Sequence, residues 1–137
     1  MLRTATKSAK RLPHWVSSME PKLKIYQMNL EGEVDAAKMS EINRVIGQLI
    51  KGEMYRLILN FESVEHVNFT VLPALVDERK RMQSFGGDIR LAGMSDYIKN
   101  IFRTTGVLEQ FQVFDTAQLA AKSFGGGKPE TNLPLGL

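Results

Sequence analysis

Cysteine is absent from the 137 residues. That excludes disulfides, thiolate nucleophiles and cysteine-built zinc sites. It is also compatible with a reducing compartment, and the chain is read as cytoplasmic. No run of about 18 apolar residues occurs, so no membrane-spanning helix is expected. The start of the chain lacks the apolar stretch of a secretory signal. There are only two histidines, His14 and His66. They are far apart and have no HExxH-type neighbourhood, so no metal site is expected. His66 reads as a strand-end residue. The run Gly125-Gly126-Gly127-Lys128 is not a phosphate-binding loop, because the GxxxxGK[ST] spacing is missing and no helix follows. No GxSxG elbow is present. Carboxylates such as Asp35, Glu62 and Glu65 are scattered. The sequence therefore makes no case for an enzyme or a cofactor.

The formal charge of +3 is unevenly placed. Residues 1–24 hold six basic residues and one acidic, and the remainder holds twelve basic and fourteen acidic. The body of the protein is mildly acidic, and the basic excess sits in an N-terminal arm. Direct DNA binding by the domain itself is not expected. Residues 1–21, which include Trp15, read as a solvated arm.

Apolar spacing organises the chain from Leu23 onward. Leu23–Leu30 alternates and reads as a strand with an irregularity near Gln27. Gly32 and Asp35 read as turn material, with Asp35 also placed to cap a helix. Met39, Ile42, Val45, Ile46, Leu49 and Ile50 recur at three and four, an apolar stripe on a helix that Gly52 stops. Tyr55–Phe61 has a continuous apolar centre, as a strand buried on both faces would. From Val71, the residues Leu72, Leu75, Val76 and Met82 fit a second helix, with Arg79, Lys80 and Arg81 at its negative end. Asp88–Gly93 reads as a third strand. Ser95 caps a third helix with Tyr97, Ile98, Ile101 and Phe102 inward, ended by Gly106. Phe111–Phe114 reads as a last strand, and Asp115 caps an alanine-rich helix. From 125 onward the chain is Gly/Pro-rich and reads as a mobile tail. Alternating strands and helices predict a mostly parallel sheet, with the first strand free to pair antiparallel at an edge.

Four segments in this order resemble the STAS domain family, in its bacterial anti-sigma factor antagonist form. They are "LEGEVDAAKMSEI", "RLILNFESVEHVN", "GGDIRLAGMSDYIKNIF" and "TTGVLEQFQVFDTAQLA". The resemblance spans residues 22–124. It implies a single α/β domain, a mixed and mostly parallel sheet of four to five strands flanked by about four helices. It also implies a regulatory protein-binding module whose partner is an anti-sigma factor and serine kinase. The family's phosphorylated serine falls on Thr70, its acidic position on Asn68, and its loop aspartate on Asp35. A phenylalanine, Phe69, and a valine, Val71, stand where the family has serine and glycine. These differences bear on a kinase switch, not on the fold.

Two readings of Thr70 stand side by side. Its hydroxyl can cap the second helix through the Leu72 amide, with Pro73 tolerated in the first turn. Alternatively it is phosphorylated, with the phosphate meeting free amides at the helix's positive end and repelling a partner. The expected partner-binding residues are Asp35, Asn68, Phe69, Thr70, Val71 and Leu72. The alternative function is a non-phosphorylated STAS accessory subunit of a transport or other multiprotein complex. A homodimer is compatible with the sequence.

Overall fold

The computed structural model describes residues 24–125 and 127–131; the basic arm, His14 and Trp15 lie outside them. The elements are β1 (Ile25–Val34), α1 (Ala36–Lys51), β2 (Arg56–Val67), α2 (Leu72–Gln83), β3 (Asp88–Ala92), α3 (Asp96–Thr104), β4 (Val113–Phe114) and α4 (Ala117–Ser123). Two 3-10 turns join them, at Phe69–Val71 and Leu108–Gln110. The strands form one sheet in the order β1-β2-β3-β4, and every pairing is parallel. The antiparallel edge pairing allowed for the first strand is thus not adopted. A helix separates each consecutive pair of strands, and such crossovers return the chain in the same direction.

Residue alternation places the layers. Tyr26, Met28, Leu30, Leu57, Leu59, Phe61, Ile89 and Leu91 pack with the inner faces of α1, α2 and α3 in the main core. On the other face, Ile25, Ile58 and Ala92 meet Ala120 and Ala121 of α4. A sheet covered on both faces needs continuous apolar strands at its centre, as Leu57-Ile58-Leu59 shows. The first helix uses the predicted stripe, with Asp35 accepting a hydrogen bond from the Lys38 amide at 3.0 Å.

Several details differ from the sequence reading, each for a local reason. β1 runs on through Gly32, which sits at φ 67 beside shifts of register between Asn29 and Glu31 and between Gly32 and Glu33. Gly32 is therefore a bulge inside the strand, not a turn after it. β2 likewise continues to Val67, so β1 and β2 project as a two-stranded ribbon beyond β3, which pairs only with Arg56–Asn60. Gly52 ends α1, but the left-handed residue is Glu53, at φ 60. Tyr97 faces solvent rather than the core; its hydroxyl lies 2.7 Å from Nδ1 of His66. The cap of α4 is Thr116, not Asp115. The segment expected to be a tail from 125 is partly ordered into the sheet. Glu130 bridges Tyr26 in parallel, with Gln27 N donating to Glu130 O at 2.8 Å and Glu130 N to Ile25 O at 2.7 Å. Lys24 and Glu130 add an ion pair at 3.1 Å.

One polar cluster has no counterpart in the sequence reading. Asp88 is buried at the start of β3 and accepts from Arg79 Nε at 2.7 Å, Arg90 Nε at 3.0 Å and the Ile89 amide at 2.9 Å. Arg79 also stacks over Phe111 and Arg90 over Phe124. The carboxylate thereby ties α2 to the start of β3, and Arg90 carries the network to the end of α4 through Ser123. Arg79, expected to serve the end of the α2 dipole, is committed to Asp88 instead.

Candidate functional site

The expected site residues fall at the junction of β2 and α2. The first tie is between strands' ends: Asn68 N donates to Val34 O at 2.9 Å. That bond fixes the peptide before Asp35 beside the residue before Phe69. Asp35 and Asn68 are thus brought together by the sheet, although 33 positions separate them in sequence.

The junction itself is a 3-10 turn capped by Asn68. Its side-chain oxygen accepts from the Thr70 amide at 3.0 Å and from the Thr70 hydroxyl at 2.7 Å. The Val71 amide reaches Asn68 O at 3.1 Å, and the Leu72 amide reaches Phe69 O. Thr70 therefore does not cap α2. The residue at that cap is Val71, which has no side-chain hydrogen bond. The reason is steric and chemical: the turn places Asn68 first, and its side-chain oxygen takes both the backbone and the hydroxyl donor. The amides of Thr70, Val71 and Leu72 are consequently paired, and Pro73 has none. The expectation that a phosphate on Thr70 would find free first-turn amides loses most of its donors.

Exposure divides the expected surface. Phe69 is 61% exposed, whereas Val71 and Leu72 are 8% and 1% exposed and belong to the core. Leu72 is thus closed off and Val71 shows only an edge, in the groove beside Thr70; both anchor the turn that presents Phe69 and Thr70. Beside Thr70, a groove of about 420 Å³ runs between α1 and α2, bordered by Ala36, Met39, Ser40, Ala74 and Glu78. Glu78 is buried and held by the Asn43 side-chain amide and by Arg81 at 3.3 Å. That pairing satisfies a carboxylate which would otherwise be costly at a helix–helix seam. The Glu78–Asn43 contact was invisible in sequence because its members lie on different helices with no pattern linking them.

Chemically the junction offers a threonine hydroxyl, an exposed aromatic ring and a shallow groove. Among the described residues no group of three histidine, aspartate or glutamate side chains could hold a metal. No described helix is long and apolar enough to cross a membrane.

Comparison with known proteins agrees with this architecture. An anti-sigma-B factor antagonist of Staphylococcus aureus (strain NCTC 8325 / PS 47) is 24% identical over 90 residues, 66% of this chain and 83% of that protein. Among solved structures, the anti-sigma factor antagonist SpoIIAA in its unphosphorylated form superposes with a TM-score of 0.61. The identity is 16%, covering 75% of this chain and 92% of that one. A sulfate transporter family protein from Wolinella succinogenes gives a TM-score of 0.65 at 19% identity, covering 74% and 84%. At these identities the structural matches establish the fold. The STAS domain model aligns with residues 18–120, and over that length the chain belongs to the STAS domain family.

Proposed function

We propose that this chain is an anti-sigma factor antagonist-type regulator that binds a protein partner through the β2–α2 junction and catalyses no reaction. The observation that carries the reading is Phe69. A large aromatic ring is held in solvent by a turn whose other apolar members, Val71 and Leu72, are buried. An exposed aromatic on a well-fixed turn is a candidate anchor for a partner's pocket. Asp35 and Asn68 flank it and supply a polar rim. The partner would be an anti-sigma factor with serine kinase activity, met in the cytoplasm. The relative from Staphylococcus aureus is an antagonist, which favours this reading over that of a transport-complex subunit.

In the same reading Thr70 is the phosphorylation candidate. A phosphate there replaces the hydroxyl proton that Asn68 accepts, so the 2.7 Å bond is lost. It adds about −1.5 to −2 charge next to Phe69. With nearby turn amides already paired, the dominant effect is to disfavour binding of an apolar or acidic partner surface. The test is an affinity pull-down from native extract, followed by incubation of the pair with ATP and mass spectrometry. Recovery of an anti-sigma kinase and phosphate on Thr70 supports the reading. Recovery of a transporter component, with no phosphate on Thr70, contradicts it.

A further inference from the structure

A second concavity lies on the opposite face of the sheet from the groove beside Thr70. It encloses about 640 Å³, within the range of small-molecule sites. It opens at the carboxyl ends of β3 and β4, where parallel α/β sheets leave room for ligands, and beside Asn60 and Glu62 in the middle of β2. Its origin is legible in the packing. α4 is seven residues long and turns alanines to the sheet, so its apolar cover is limited to Ile25, Ile58, Ala92 and Phe114. Past that point the same face of the sheet carries Gln27, Asn29 and Asn60 where a packed layer would need apolar side chains. Gly93, at φ 72, keeps the space clear, since a Cβ there would stand 2.7 Å from Asn60 Oδ1.

The amide row is preset. Asn29 Oδ1 accepts from Gln27 Nε2 at 2.9 Å and from Asn60 Nδ2 at 3.0 Å. Each of those donors retains a second N–H. Charges of both signs border the space: Glu62, Asp115 and Lys128. None of the three has an ion-pair partner among the described residues. Met94, Ala117 and Pro129 make the wall apolar elsewhere. The segment carrying Lys128 is held across the site by the Glu130 bridge to Tyr26.

We propose that this cavity binds a small amphoteric molecule of the free amino acid or dipeptide class, with an apolar side chain. Its ammonium faces Glu62 and Asp115, its carboxylate faces Lys128 and the retained amide N–H groups, and its side chain lies on Met94. Polyanions such as nucleoside triphosphates are disfavoured by the two carboxylates. The inference does not depend on the partner reading of the opposite face.

The test is a ¹⁵N–¹H NMR titration of the full chain with leucine, phenylalanine and leucyl-phenylalanine, and separately with ATP and glucose. The expected result is saturable shifts at Asn60, Gly93 and Gln118 for at least one of the first three probes. Glu62→Gln and Lys128→Met, both at exposed positions, should each weaken that probe's affinity about tenfold while leaving the unfolding midpoint unchanged. Absence of shifts at about 10 mM probe, well above the millimolar affinity that corresponds to about −4 kcal/mol, overturns the proposal. So do shifts confined to other surfaces, response only to ATP or glucose, or variants that bind as the parent does.

Discussion

At the scale of single residues, Asn68 governs the junction. Its one oxygen holds both the amide and the hydroxyl of Thr70. Asn68→Ala should therefore cost about 1 kcal/mol, the usual loss for a capping side chain. Thr70→Ala, which removes only the hydroxyl bond, should cost less; urea denaturation of the two variants measures the order. Glu53 shows the opposite situation. It is a non-glycine residue in the left-handed region, which disfavours residues with a Cβ. Glu53→Gly is expected to raise stability by about 0.5–1 kcal/mol, read from the same denaturation midpoint. Asp88 is buried and paired with two arginines, so its loss is costly. Asp88→Ala leaves Arg79 and Arg90, each largely buried, without their shared carboxylate. A loss of about 2–4 kcal/mol is expected, and a change within about 0.5 kcal/mol, the ordinary scatter of surface substitutions, would show that the network carries no stability.

At the scale of elements, the apolar stripes of α1 and β2 and the caps Asp35 and Ser95 were readable because they depend on neighbours three or four positions away. What was not readable depended on contacts across the chain. Gly32 looks like a turn residue in sequence, yet pairing with β2 makes it a bulge. Tyr97 falls near the apolar stripe of α3, yet His66 at the end of the β1–β2 ribbon gives its hydroxyl a partner at the surface. Thr70 has the composition of a helix cap, but Asn68 precedes it, caps the 3-10 turn and takes the Thr70 hydroxyl as a donor, leaving α2 without a side-chain cap. Gly87 gives a further element-scale test. A Cβ at that position would lie 1.8 Å from Tyr55 O, where β2 and β3 begin side by side. Gly87→Ala must separate the two strands at their first pairing, and a loss of at least about 2 kcal/mol is expected. Stability equal to the parent's would mean that this close approach does not constrain the sheet.

At the scale of the whole molecule, one sheet carries two unlike faces. Three helices close the main core, two of them, α1 and α2, frame Thr70 and its groove, and the short α4 leaves a polar hollow on the other side. The family and its α/β layout were legible from ordered glycines, aspartates and apolar runs. The candidate site was legible only as a stretch, Asn68 to Leu72, because burial decides which of those side chains reach the surface. Val71 and Leu72 turned inward to complete the core under α2; Phe69 and Thr70 remained outside. The solvated arm expected for residues 1–21 predicts that a chain lacking residues 1–20 still unfolds in one cooperative transition, as calorimetry would show.

The partner-binding role of the junction is tested most directly by calorimetric titration of the partner recovered from native extract with the parent chain, Phe69→Ala and Thr70→Glu. Burying the exposed part of the Phe69 ring is worth about 1–2 kcal/mol, so Phe69→Ala should weaken binding roughly five- to thirty-fold. Thr70→Glu, which adds a negative charge and removes the hydroxyl, should weaken it as well. Both variants binding with the parent's affinity would place the interface elsewhere and contradict the account.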